Sequence, residues 1–197
     1  MINNVKVYGL ENAVRVAKFP MATDTNKCTE EIIPVTNSLA KTEPGSAHNN
    51  FLCGIIVQFD LTATLKFWPE FQRYHFADII SSQSTMHRIT RFNLDEAYYK
   101  YTDKRIIDIM KEKVAEYNAI EDKTSDKAKE KYLEVLYNNP AGFLLTAGIT
   151  TNYLQLKTMY KQRHNHRLEE WRVFCKWIES LPHSEWITNW PVRSILI

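Results

Sequence analysis

"LLTAGITTNYLQLKTMYKQRHNHRLEEWRVFCKWIESL", residues 144–181, decides the architecture. It opens on a β-branched stretch and becomes a long helical pattern, with apolar side chains at Leu154, Leu156, Met159, Tyr160, Leu168, Trp171, Phe174, Cys175 and Ile178. That recurrence predicts a strand feeding one long half-buried helix, which Pro182 ends. Inside it, Arg163 and Arg167 stand four residues apart, on one face if the helix runs through them. Paired guanidinium forks suit a phosphate or carboxylate, because each donates two parallel hydrogen bonds. The plainer alternative is a surface face in which Glu169 or Glu170 answers Arg167.

The second informative stretch is "QRYHFADIISSQSTMHR", Gln72 to Arg88, where Ser, Gln, His and Arg surround a short apolar centre. Helix faces in solvent favour Lys and Glu over this mixture, so it reads as a pocket wall or as a polar helix cap. It belongs to an expected helix over "FWPEFQRYHFADII", with Pro69 in the first turn. The preceding "FLCGIIVQFDLTATL" predicts a strand carrying Ile56, Phe59, Leu61 and Ala63. At the N-terminus, "VKVYGL" reads as a short strand and "LENAVRVAKFP" as a helix stopped by Pro20. Residues 21–50 form a loop-rich insertion and 183–197 a C-terminal tail of a single domain spanning 1–197. From Asp95 to Glu134 the chain is charged and helical. The alternating signs of "AIEDKTSDKAKEK" make a helix junction there, not a basic patch. "YNNPAGF" is a turn around Pro140. The fold class is α+β with helices in the majority.

Composition narrows function. With 25 basic and 23 acidic residues, neither a nucleic-acid arm nor a membrane-binding surface is expected. The opening "MINNVKVYGL" lacks a basic n-region and an apolar h-region, and no apolar run is long enough for a bilayer, which predicts a cytoplasmic protein. Cys28, Cys53 and Cys175 have no C-x-x-C spacing, so free thiols are expected. No metal site is expected: His164 and His166 are two residues apart, which a helix sends to different faces. Ser84 lacks a G-x-S-x-G elbow, which leaves it a hydrogen-bond donor or helix cap. The chain has only five glycines and neither G-x-G-x-x-G nor a P-loop. A bound nucleotide must therefore be held by side chains and helix ends.

Two segments together resemble the flavin-dependent thymidylate synthases. Their signature runs Arg-His-Arg, three residues, then a polar stretch ending Glu-Gln-Ser-x-Arg-Tyr. Laid without gaps it covers Tyr74 to His87, matching His75 and the "QST" of Gln83 to Thr85. The family's helix-starting Asn, its Leu four residues on and its Arg eleven residues on match Asn152, Leu156 and Arg163. The family's following Ala-Gln-Trp-Glu run has a loose counterpart in "LEEW", Leu168 to Trp171. The departures are charge losses: Tyr74 and Phe76 replace arginines, with Arg73 one position earlier. Met86 replaces another, with Arg88 two positions on, and Leu154 a fourth. Tyr74 and Phe76 offer rings for stacking where the family uses charge.

The resemblance implies a helix-rich fold with a small antiparallel sheet and FAD-dependent reductive methylation of dUMP or a related pyrimidine nucleotide. NADPH and methylenetetrahydrofolate would be co-substrates. It implies Ser84 and Arg163 as catalytic, with Gln83, Ser84, Arg163 and Arg88 on the nucleotide. His48, Arg73, His75, Asn152 and Arg167 would meet the cofactor. A homotetramer is implied, and divergence of this kind suits a bacteriophage-encoded protein acting in a host cytoplasm. The alternative is a catalytically inactive scaffold of the same fold that binds a nucleotide or a protein partner.

Overall fold

The computed structural model describes residues 1–189; the end of the expected tail, 190–197, lies outside the described residues. β1 (Ile2–Tyr8) leads through Gly9 into α1 (Leu10–Val16). Gly9 is required there. Its φ of 77° is left-handed, and a Cβ would come within 2.5 Å of the Gly54 carbonyl oxygen. The stretch 21–50, expected as loop, contains a helix as well as 3-10 turns: α2 (Pro34–Ala40), with proline in its first turn where a missing N–H costs nothing.

β2 (Ile56–Thr64) forms as expected, but its inward face is Val57, Phe59, Leu61 and Ala63, all buried. Ile56, at the start of the strand, is half-buried on the other face, as the alternation of a strand places it. The helix expected over Phe67–Ile80 is corrected more sharply. Only one turn forms, α3 (Trp68–Phe71), and the chain then enters β3 (Ala77–Ser82). The Thr64 hydroxyl accepts the Phe67 N–H at 3.2 Å and the Trp68 indole donates to the Ala63 carbonyl at 3.2 Å, which fixes the short turn. Ile79 and Ile80 then favour a strand, and pairing overrides the apparent helical spacing.

α4 (Thr85–Arg88) follows, and regular helix resumes at α5 (Lys104–Asn118) and α6 (Asp126–Asn138), so the expected helical stretch starts nine residues later than Asp95. Asp103 and Ser125 cap these helices, accepting from the Arg105 and Ala128 N–H groups. The charged junction serves the hairpin itself. Lys123 donates to the carbonyls of Tyr117, Asn118 and Ile120 at the end of α5, and Lys131 pairs with Glu116 and Glu134 at 2.9 and 3.1 Å.

β4 (Leu144–Asn152) runs directly into α7 (Tyr153–Arg163), as the opening stretch predicts. The single long helix does not form, however: α8 (Glu169–Ile178) is separate, and a short α9 (Glu185–Thr188) lies in the expected tail. Side chains hold the break open. The His166 ring accepts the Leu168 N–H at 3.1 Å, and Arg172 donates to the carbonyls of His166 and Arg167 at 2.6 and 2.9 Å. Arg163 and Arg167 therefore do not share a helix face.

The four strands form an antiparallel sheet in the order β1-β2-β4-β3. The pairs Gln58–Thr150 (3.1 Å) and Thr62–Thr146 (2.8 Å) have equal residue sums, as antiparallel register requires. Contacts gather the described residues into two units: Met1 with Leu61–Arg73 and Ile80–Gly148, and Ile2–Asp60 with Tyr74–Ile79 and residues 149–189. The first has a core of Ile89, Leu94, Ala97, Met110, Val135 and Phe143, with Phe92 and Tyr98 edge-on to Phe143. In the second, α7 sits at the centre, burying Tyr153, Leu156 and Met159, and Phe59 of β2 packs on Phe174 and Trp177 of α8. Among the described residues no helix is long and apolar enough to cross a membrane. All three cysteines are free.

Candidate functional site

α7 is anchored at both ends by the residues that the sequence singles out. At its start Asn152 is the N-cap: extended backbone, with its side-chain oxygen accepting the Gln155 N–H at 2.9 Å. Eleven residues at 1.5 Å each carry the helix about 16 Å to Arg163. There the Arg163 Nε–H donates to the Tyr74 hydroxyl at 2.8 Å, and that hydroxyl donates to the Gln162 side-chain oxygen at 2.9 Å. The guanidinium also lies over two rings, 4.8 Å from the Trp171 centroid and 5.7 Å from that of Tyr74. Such cation–π contacts are worth about 0.5–2 kcal/mol each. Trp171 is fully buried, and Tyr74 meets it edge-to-face at 5.8 Å.

Trp171 belongs to α8, whose apolar face reaches it through Phe174 at 5.7 Å. Next to this cluster, burial pushes the Cys175 thiol up to about 12, the Glu179 carboxylate adds to the rise and Arg163 partly offsets it. Cys175 is thus a protonated core residue, not a nucleophile. His75, adjacent to Tyr74, is exposed, as are Phe76 (67%) and Arg73. Of the two aromatic residues expected to stack, Tyr74 does so within the chain, while Phe76 faces outward.

Within the first unit, Gln83, Ser84 and Arg88 come together at the end of β3. Gln83 is tied to β4 by two bonds with Thr146, its N–H donating to the Thr146 carbonyl and its side-chain oxygen accepting the Thr146 N–H, both 2.9 Å. Its side-chain oxygen is thereby engaged by the sheet. Ser84 occupies the N-cap position of α4, but its hydroxyl makes no capping bond, which corrects the cap expectation. The Arg88 N–H donates to the Ser84 carbonyl at 3.1 Å and its side chain is exposed.

His48 borders a cavity of about 370 Å³ with Pro34, Val35, Ser38, Leu39 and Thr42 of the α2 region. A larger cavity of about 470 Å³ lies beside it, lined by Ala17, Met21, Cys28, Ile33 and others, sharing Val35 and Leu39. Arg167 is exposed in the linker after α7. No cluster of potential metal ligands occurs among the described residues.

Sequence reasoning missed Gln162 and Lys157. Gln162 gives no signal, being one polar residue in a polar run. Lys157 gave one: a lysine inside the apolar pattern of α7. It is fully buried, donates to the Ala40 carbonyl at the end of α2 at 2.5 Å, and burial lowers its pKa to about 8.

No protein-family model and no curated protein matches the chain. Solved structures do. A flavin-dependent thymidylate synthase ThyX from Helicobacter pylori, complexed with FAD and dUMP, superimposes with a TM-score of 0.65 at 13% identity, over 95% of this chain and 96% of that one. A second structure of ThyX from that organism, with FAD and dUMP, gives 0.68 at 12%, covering 95% and 97%. A UMP/dUMP methylase, PolB from Streptomyces cacaoi, bound with 5-Br dUMP, gives 0.60 at 13%, covering 90% and 89%. At such identities the likeness speaks for the backbone alone, and over nearly its whole length this chain has the fold of the flavin-dependent thymidylate synthases.

Proposed function

We propose that this protein binds a pyrimidine nucleotide and FAD and carries out reductive methylation of dUMP or a related pyrimidine nucleotide. The observation that carries the reading is the guanidinium of Arg163, fixed by Tyr74 and Trp171 at the end of the helix that Asn152 begins. A pre-oriented fork of this kind suits a nucleotide phosphate. Structural relatives with the same fold are complexed with FAD and dUMP or with a brominated dUMP.

Four exposed side chains and a half-buried one suit a diphosphate-bearing cofactor. Arg73 and Arg167 supply positive charge, His75 and His48 supply ring nitrogens, and Asn152 presents an amide at a helix start. FAD, when bound, would supply the redox chemistry, with NADPH and methylenetetrahydrofolate as the reductant and one-carbon sources. The chain's own work is placement. Arg163 holds the phosphate and so the register of the pyrimidine. Gln83, with its oxygen held by Thr146, offers an amide N–H to the base or sugar. The resemblance assigns the Ser84 hydroxyl, which makes no capping bond, and the Arg88 guanidinium, one helical turn on, to the nucleotide as well. The assembly in this reading is a homotetramer.

One observation favours a second reading, a nucleotide-binding scaffold without redox chemistry. Tyr74 is buried, its hydroxyl taken by Arg163 and Gln162, at a position where the resemblance places a ligand-binding arginine. An absorbance spectrum of the purified protein, with mass spectrometry of what denaturation releases, separates the two. Bound flavin with methylation of dUMP is the expected result. Thermal stabilisation by dUMP from a protein that stays colourless after FAD is added would establish the scaffold instead. Arg163→Ala should abolish the stabilisation by dUMP, and an unchanged shift would remove Arg163 from the site.

A further inference from the structure

We infer that Tyr74 is the positioning residue for Arg163, and through it for the phosphate of a pyrimidine nucleoside monophosphate. The inference rests on the reading above that Arg163 holds the nucleotide.

Three features of the geometry converge on Tyr74. Its hydroxyl takes the Arg163 Nε–H at 2.8 Å, and Nε is the guanidinium nitrogen nearest the side-chain stem, so the bond sets the rotation of the whole plane. The same hydroxyl donates to Gln162 at 2.9 Å. Its proton is thereby turned away from Arg163, which leaves a lone pair facing the Nε–H. Finally, the ring stands edge-to-face on Trp171 at 5.8 Å, and the guanidinium lies over both rings. One phenol thus ties two successive residues of the last turn of α7 to the buried aromatic cluster of α8. The bond to Nε leaves the fork's orientation settled before a ligand arrives, which lowers the ordering cost of binding.

The arrangement also accounts for a substitution in the signature. An arginine at position 74 would bring a second cation against Arg163 and would leave its Nε–H without this acceptor. Tyrosine gives up one charge at the site and gains a fixed orientation for the charge that remains.

The test uses the full chain and dUMP as the probe, with affinity read by titration calorimetry. Tyr74→Phe keeps the ring against Trp171 and deletes only the hydroxyl. It should weaken dUMP binding about tenfold, equivalent to about 1.4 kcal/mol. Arg163→Lys has no Nε–H to be positioned, so adding Tyr74→Phe to Arg163→Lys should change the affinity no further. Gln162→Leu, at an exposed site, removes the acceptor of the phenol proton and should weaken dUMP in the same direction, which covers the case in which Tyr74→Phe folds poorly. Equal dUMP affinity for wild type, Tyr74→Phe and Gln162→Leu, with Arg163→Lys weakened, would overturn the positioning role and leave the nucleotide reading standing. Additive losses in the double variant would make Tyr74 merely structural. If wild type does not bind dUMP, or Arg163→Lys binds it unchanged, the underlying reading fails and the inference fails with it.

Discussion

The two stretches that hold the candidate residues are built in opposite ways. From Asn152 through Trp171 the key groups are fixed within the protein: Asn152 caps α7, Lys157 bonds the Ala40 carbonyl, Arg163 is held by Tyr74, and Trp171 is buried beneath it. From Gln72 to Arg88 the arginines and histidines face solvent, while Tyr74 and Ala77 turn inward. On the α7 side the geometry exists before a ligand arrives. On the other side a ligand must order exposed side chains, at about 0.5–1.5 kcal/mol apiece. On the reading proposed above, recognition rests on one well-held cation, where the signature of the resembled family has several.

The largest effect should come from the aromatic floor of the rigid side. Trp171→Ala should cost about 3–5 kcal/mol of stability, the range for truncating a buried tryptophan, measured by urea denaturation. A loss within 1 kcal/mol would mean that Arg163 rests on a surface ring, and the contrast between the two stretches would collapse.

Lys157 sharpens the comparison through pH. Its folded pKa, about 8, lies below the ordinary lysine value of 10.5 because burial penalises the ammonium. Between those values the unfolded chain binds more protons, so this group makes stability rise with pH across the window, on the order of 3 kcal/mol at most. Cys175 opposes it. Its thiol is raised from 9.0 to about 12, so the folded state binds more protons above pH 9 and loses stability there. The difference between wild type and Lys157→Met isolates the lysine. The variant should be the more stable at pH 7, with its advantage shrinking as pH rises towards 10. An advantage independent of pH in chemical denaturation would show that the ammonium is solvated.

How much of this the sequence disclosed depended on where the determinant lay. The β4–α7 junction was legible because a β-branched run, an Asn cap and an apolar helical spacing sit in consecutive residues. β3 was not, because Ile79 and Ile80 satisfy a helical spacing as readily as a strand, and pairing with β4 decides between them. The break between α7 and α8 carries neither Gly nor Pro; it depends on the His166 ring and on Arg172, a tertiary arrangement with no local signature. The spacing in the sequence points to Arg163, but its partner Tyr74 lies 89 residues away, where the sequence shows only an aromatic ring in place of a charge.

A smaller effect is expected at the start of α7. Asn152→Ala removes the bond to the Gln155 N–H and should cost about 1 kcal/mol, as N-cap truncations do. Asn152→Asp keeps an acceptor at the cap and adds negative charge at a helix N-terminus, so it should recover most of that loss. If Asn152→Asp is as unstable as Asn152→Ala, the amide NH2 matters to the fold, and a role towards a ligand loses its opening.

The smallest effects belong to the exposed stretch, and they test the comparison from the other side. Arg73→Ala and Arg88→Ala should each leave the melting temperature nearly unchanged, within about 0.5 kcal/mol, because both side chains are exposed. If these cations serve a ligand, their effect should appear in nucleotide or flavin affinity and should fade as salt rises, since charges in solvent are screened over about 8–10 Å near physiological ionic strength. Arg163, fixed against two rings, should lose less of its contribution to salt than either of them. Measuring dUMP affinity for the three arginine variants at low and high salt therefore ranks how preorganised each cation is. A salt response of Arg163 as steep as that of Arg88 would put both on the same footing, and the reading in which recognition rests on one held cation would have to be given up.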